Sequence, residues 1–149
     1  MSIVETFWDR FVAATGFDGP YDAWGFGGES RPEMMTELAL LVRDGPKRAT
    51  TGVLAEYEDE GEPIDEVSKF SVILGGGGDP VCVIRNTEVE VRRFGDVDGE
   101  FAHTEGEGDG TLEYWRTSHQ GYFADAGYPV DDDTLMVLVT FELVWDGRD

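Results

Sequence analysis

A Gly-Pro step at residues 45 and 46 divides the hydrophobic pattern of this chain into two periods. Before it, apolar residues recur at helical spacing. After it, they mostly alternate, as they do in strands. A chain that switches period in this way, with no regular strand–helix–strand rhythm, is confined to the α+β class. Ser2 with Glu5 reads as a capping box opening a helix, with Phe7, Trp8, Phe11 and Val12 on its apolar face and Gly16 ending it. Residues 16–30 read as a loop rich in glycine and aromatics. Ser30 with Glu33 repeats the box, and Pro32 suits a first helical turn. Met34, Met35, Leu38, Leu41 and Val42 give that second helix a stripe to bury.

Beyond the step, Ala49 to Ala55 is predicted as a strand and Glu56 to Glu66 as a solvated acidic loop. Phe70, Val72 and Leu74 alternate, and Gly75 to Gly78 followed by Asp79-Pro80 reads as a hairpin connection. No Gly-Lys-Ser/Thr follows those glycines, so they are not a P-loop. Val81 to Phe94 holds two strands with a bend near Asn86. A short helix covers Val97 to His103, and another starts near Leu112 with Trp115, His119 and Phe123 on one face. Leu135 to Trp145 closes the chain with uninterrupted alternation. The expected architecture is roughly five or six mostly antiparallel strands in a barrel-like sheet with three or four helices. Nine residues are expected in the core: Trp8, Phe11, Leu38, Leu41, Phe70, Val83, Trp115, Val139 and Phe141.

At 149 residues the chain has the length of one domain, taken as residues 1–149 with residues 1–23 as an N-terminal helical extension. It lacks an apolar run of the roughly 20 residues that span a bilayer, and its first residues show no secretory pattern. A cytoplasmic location without membrane attachment is expected. Charge is the strongest compositional signal: 11 bases against 32 acids, a formal net of −21. Residues 96–149 alone carry −12, while eight of the eleven cations lie within residues 31–95. An extended grip on a phosphate backbone needs a basic face, so it is disfavoured, and any anion site belongs to the middle segment. Only Lys47 and Lys69 are lysines. Such a surface suits a salt-rich cytoplasm, or serves solubility alone.

Most of the polar chemistry reads as structural. His103 and His119 have no metal-ligand spacing, lone Cys82 sits in an apolar strand, and Asp131 to Asp133 lack the glycine and spacing of a calcium loop. No metal and no cofactor is expected. Two segments are less ordinary. Gly45-Pro46-Lys47-Arg48-Ala49-Thr50-Thr51 leaves a helix and enters a strand while presenting cations and hydroxyls. Cations near a helix C-terminus complement its dipole, and threonines favour strands, so a purely structural explanation also fits. In Glu105-Gly106-Glu107-Gly108-Asp109-Gly110, acids alternate with glycines just before a helix carrying Trp115, Arg116 and His119, with Asp109 or Thr111 as its cap.

Together these segments resemble the ASCH domain family. Gly45, Lys47 and Thr50 stand as Gly-x-Lys-x-x-Thr after an apolar helix. EVSKFSVIL, VCVIRNTEVEVRRF and FAHTEGEGDGTLEYWRTSH follow in the family's order, so that the resemblance runs from about Trp24 to Trp145. Gly28 departs from it, where an acid is expected after Phe26-Gly27. The resemblance implies a PUA-like fold: a pseudo-barrel of mostly antiparallel strands flanked by helices, with a cleft beside the motif. It also implies an RNA or nucleotide ligand. Some small members are amidohydrolases that deacetylate acetylcytidine, and others are described as ribonucleases. By matching positions, the catalytic residues of such a hydrolase are Lys47, Thr50 and Glu105.

The chemistry of that trio leaves two assignments open. Lys47 is a base only if desolvation or a neighbouring cation such as Arg48 lowers its pKa, and Glu105 nearby opposes this. Alternatively Glu105 is the base and Lys47 stabilises the oxyanion. Trp24, Tyr57 and Trp115 are candidates to stack on a nucleobase, and Arg48 and Arg116 to meet a phosphate. The expected function is RNA or nucleotide binding at a Lys/Thr/Glu cleft, with the amidohydrolase as the alternative.

Overall fold

The computed structural model describes residues 1–27 and 30–148; Gly28, the departure from the family pattern, lies outside them. In order, the chain forms α1 (Ile3–Thr15), β1 (Tyr21–Trp24), α2 (Pro32–Asp44), β2 (Ala49–Val53), α3 (Leu54–Glu60), β3 (Phe70–Leu74), β4 (Pro80–Arg93), α4 (Gly99–Glu105), α5 (Leu112–Asp125) and β5 (Leu135–Trp145). The five strands form one sheet in the order β1-β3-β4-β5-β2. β1 pairs with β3 in parallel; β3–β4 and β2–β5 are antiparallel. The protein is α+β with a mostly antiparallel sheet, as expected. Its outer strands β1 and β2 do not pair with each other, so the sheet is open and no barrel closes.

Contacts divide the chain into two compact units. The first comprises Met1–Gly45, Ser68–Asn86 and Phe141–Asp149. Successive residues of a strand face opposite sides, and here both sides are covered. Val72 and Val83 pack with Phe7, Trp8 and Phe11 of α1. Ile73, Cys82 and Ile84 pack with Ala39 and Val42 of α2, and with Phe26 and Phe141. A strand buried on both faces loses its polar phase, which is why FSVIL reads as a nearly continuous apolar run. The Ser2–Glu5 box forms as predicted, each side chain taking the other's backbone N–H.

The second unit comprises Pro46–Val67 and Thr87–Thr140. Its core joins Val53 of β2, Met136 and Leu138 of β5, Phe94, Val97, Ala102 of α4, and Trp115 and Phe123 of α5. The register Ala49↔Thr140 to Val53↔Met136 places Thr51 opposite Leu138, and therefore on the side facing that core.

Several local expectations change. α2 has Arg31 at its N-cap with no side-chain bond, so Ser30 and Glu33 form no box, though Pro32 does open the helix. β1 lies within the glycine-aromatic loop, as an edge strand made by pairing to β3. The first acidic residues after β2 form helix α3, closed by Gly61 in the left-handed conformation (φ 67°). β4 is one fourteen-residue strand rather than two. Asn86 sits within it, 2% exposed, its backbone bonded to Lys69 and Ser68. Of the expected core, Trp8, Phe11, Val83, Trp115, Val139 and Phe141 are buried, whereas Leu38, Leu41 and Phe70 are half-buried. Among the described residues, no helix is long and apolar enough to cross a membrane.

Candidate functional site

Four ionisable side chains meet inside the second unit. Two of them, Lys47 and Glu105, are each only 1% exposed, which is rare for such groups unless they are paired. Lys47 is delivered by the sharp exit from α2, where Gly45 is extended and Pro46 cannot continue a helix. The Arg48 N–H then donates to the Thr104 carbonyl (2.9 Å), fastening this segment to α4. Glu105 is the last residue of α4, and Gly106 caps the helix at φ 70°.

Gly106 is constrained twice. Its dihedral is one that side chains disfavour, and a Cβ there would lie 2.8 Å from the backbone of Pro46 and Lys47. Gly61 has nearly the same dihedral (φ 67°) with nothing within 4 Å of the corresponding position. Gly61→Ala therefore measures the left-handed penalty alone, roughly 1–2 kcal/mol. Gly106→Ala is expected to cost more than Gly61→Ala in chemical denaturation. Equal losses would show that the backbone approach contributes nothing.

Around the Glu105 carboxylate stand four donors. Trp115 Nε1 (2.6 Å) and the Thr51 hydroxyl (2.7 Å) donate to Oε2. His119 Nε2 lies 2.9 Å from Oε1, and Lys47 Nζ lies 3.8 Å from the same oxygen. Lys47 Nζ also donates to the Ala49 carbonyl (2.8 Å) and to Glu107 Oε2 (2.7 Å). Burial alone would raise the Glu105 pKa. The charges of Lys47 and His119 and the bonds from His119 and Trp115 outweigh it and hold this carboxyl well below the usual carboxylate range. Glu107 goes the other way: burial, the nearby Glu105 charge and a hydrogen-bond contact with the Glu105 carboxyl overcome the charge and the bond of Lys47 and raise its pKa. Its side chain is 23% exposed, so the carboxyl that holds a proton more readily is also the one that solvent reaches. Burial lowers the His119 pKa, but the bond to Glu105, its charge and the Trp115 carbonyl raise it further than burial lowers it.

The structure thus brings Lys47 and Glu105 together and leaves Thr50 out of their hydrogen-bond network. Thr51, its neighbour, faces Glu105, so Thr50 points to the opposite side of β2, across from Val139. On that side a Cβ at Gly52 would lie 2.9 Å from the Tyr57 ring, so this half-buried ring packs on the strand. Trp115 cannot stack on a base. Phe94 (5.2 Å) and His119 (4.4 Å) stack with it, and its indole N–H is committed to Glu105. Trp24 belongs to the first unit and packs edge-on to Phe26 at 4.8 Å. Arg48 donates to the Lys47 carbonyl (2.6 Å). Arg116 donates to the Gly95 carbonyl (3.2 Å) and keeps a buried Nε without a partner.

Sequence reasoning passed over Thr51, Glu107 and His119. Signals for all three exist. Lys47, Ala49, Thr51 and Val53 share one parity, Glu105 and Glu107 flank the one glycine that must lie against Lys47, and Trp115 and His119 are one helical turn apart. Among the described residues, no group of three or more His, Cys, Asp or Glu is placed to hold a metal ion.

Two solved structures resemble the chain over nearly its whole length. A crystal structure of protein EF3133 from Enterococcus faecalis V583 is 33% identical, with a TM-score of 0.85 over 98% of this chain and 90% of that one. A crystal structure of an ASCH domain from Lactobacillus crispatus JV V101 is 26% identical, with a TM-score of 0.84 over 96% of this chain and 94% of that one. No protein with a curated description matches significantly. The family model of the ASCH domain matches residues 22–145, a span that contains every member of the buried cluster, and the chain therefore belongs to the ASCH domain family, which is generally thought to bind RNA.

Proposed function

We propose that the protein binds RNA or a nucleotide through the Lys47–Glu107 end of this cluster, and that its preferred ligand is a small uncharged nucleoside. The 2.7 Å contact between Lys47 and the partly exposed Glu107 carries this reading. Glu107, the partly exposed member of the pair, presents a charged acceptor, and the buried Lys47 behind it holds that carboxyl in place. That acceptor matches the cytosine edge, where the exocyclic amine donates, as it does to Asp or Glu in nucleic-acid complexes. The molecular charge favours a small ligand. With a formal net of −21, approach of a polyanion is opposed over about a Debye length, roughly 10 Å at 0.1 M salt.

The test is a titration of labelled single-stranded RNA and of cytidine across a salt series. Nucleoside affinity is expected to be nearly independent of salt and to fall in Glu107→Gln. RNA binding is expected to be weak throughout. Tight RNA binding at low salt that weakens steeply with added salt would show that a local basic patch overrules the net charge and would reject the small-ligand preference.

The raised pKa of Glu107 supports a second reading, hydrolysis of an acetylated cytidine. A carboxyl that exchanges protons beside an ammonium fits general acid–base chemistry. Glu107 takes a proton as water adds to the acetyl carbonyl, Lys47 stabilises the oxyanion, and the proton passes to the departing amine, giving acetate and cytidine. Lys47, held between two carboxylates, is unsuited to be the base. This favours the oxyanion assignment and moves proton transfer from Glu105 to Glu107. A nucleophilic role for Thr50 has less support, because its side chain faces away from Glu105. Release of acetate from acetylcytidine, lost in Glu107→Gln and kept in Thr50→Val, is the expected pattern for this reading.

A further inference from the structure

We propose that His119 is held as an imidazolium and is a positioning residue: it keeps Glu105 a permanent carboxylate, which leaves Glu107 as the carboxyl of the cluster that exchanges protons. The role given to Glu107 rests on the ligand site proposed above; the charge of His119 does not.

Donors and acceptors fix the charge of the His119 ring. His119 Nδ1 lies 2.7 Å from the Trp115 backbone carbonyl, which can only accept, so Nδ1 carries a proton. Nε2 lies 2.9 Å from Glu105 Oε1. A neutral ring would need a proton on Glu105 to fill that contact. Yet the same carboxyl already faces the Trp115 N–H, the Thr51 hydroxyl and the Lys47 ammonium, and the one further carboxyl in hydrogen-bond contact with it, Glu107, is the more readily protonated of the two and so donates when it holds a proton. Four donors around one carboxyl select the carboxylate, and Nε2 must then donate as well. The charged groups facing His119 are Glu105 at the end of α4, Glu107 just beyond it, and Lys47 ahead of β2, which contacts both acids. Two cations then balance two anions inside the fold. With Glu105 saturated by donors, Glu107 is the acid through which this cluster takes up or loses a proton.

Nitrogen-15 spectra of selectively labelled histidine in the intact protein at pH 7.5 test the charge. Both His119 ring nitrogens are expected at protonated positions, each with a one-bond proton correlation. An unprotonated Nε2 would overturn the proposal. Carboxyl carbon-13 titration of the same protein tests the assignment: Glu107 is expected to titrate at higher pH than Glu105, and the reverse order would overturn it. His119→Gln separates positioning from packing, since its amide still donates to Glu105 but brings no charge. The Glu107 midpoint is expected to move upward in this variant, and an unmoved midpoint would reduce His119 to a hydrogen-bond donor. None of these measurements uses a ligand, so a failure to bind nucleosides would count against the ligand reading alone.

Discussion

Replacing Lys47 by methionine is expected to destabilise the protein by about 3–5 kcal/mol, although methionine fills much of the same volume. The lost group is an ammonium 1% exposed that contacts the Ala49 carbonyl and Glu107 and faces Glu105. Its removal leaves two carboxylates inside the fold against one imidazolium. The dependence on pH distinguishes this from a packing defect. In the wild type, burial and Glu105 raise the Glu107 pKa above its unfolded value. Its contribution to stability is therefore fully present below the unfolded pKa and is lost as pH rises through the folded one. Without Lys47 both carboxyls bind protons more readily in the folded state. The difference between variant and wild type is thus expected to shrink on acidification and to be largest near neutrality. Denaturation of both proteins across pH 4–8 measures it, and a loss independent of pH would mean that Lys47 matters as volume and not as charge.

Phe141→Ala is expected to cost a similar amount, about 3–5 kcal/mol, for an unrelated reason. Phe141 is 3% exposed in the cluster of Ala39, Val42, Ile73, Cys82 and Ile84, with its ring centroid 6.3 Å from that of Phe26. The ring occupies space that α2 and the strands cannot close without moving, so truncation loses both transfer free energy and contacts. A fall in Tm of about 10 °C is expected for a chain of this length, with no change in the titration of the buried cluster, which belongs to the other unit. A melting curve indistinguishable from wild type would show that the site collapses around alanine.

The elements read correctly in the sequence are those whose signal is local. The Ser2–Glu5 box, the Gly45-Pro46 stop and the strand over Leu135 to Trp145 each depend on near neighbours alone, although that strand does not alternate as expected: Met136 to Val139 are buried in succession because both of its faces are covered there. The misread ones depend on the rest of the chain. Tyr21 to Trp24 is a strand because β3 offers it an edge. Leu54 to Glu60 buries no residue, so its acids hid a helix that rests on the Tyr57 ring and a glycine cap. At the site, residue types and approximate positions were legible and parity was not. Thr50 and Thr51 differ by one step along β2, and only the pairing with β5 decides which of them faces Glu105. Trp115 looked like a stacking platform because a sequence shows that a residue is aromatic and not what already covers its faces. His119 looked inert because its partner lies fourteen residues earlier, on another helix.

The abutment of Gly106 on Pro46 and Lys47 also limits how this chain can vary over descent. No side chain can be added at 106 until the entrance to β2 has drawn back, and drawing it back strains the Arg48–Thr104 bond that holds Lys47 beside the two acids. Two segments sixty residues apart are thereby linked as one inherited unit, in which neither half can drift alone. The acidic turn at Gly61, with open space around it, carries no such link. Insertions and exchanges are expected to accumulate there among descendants of this sequence, while the Gly106 junction stays closed to them.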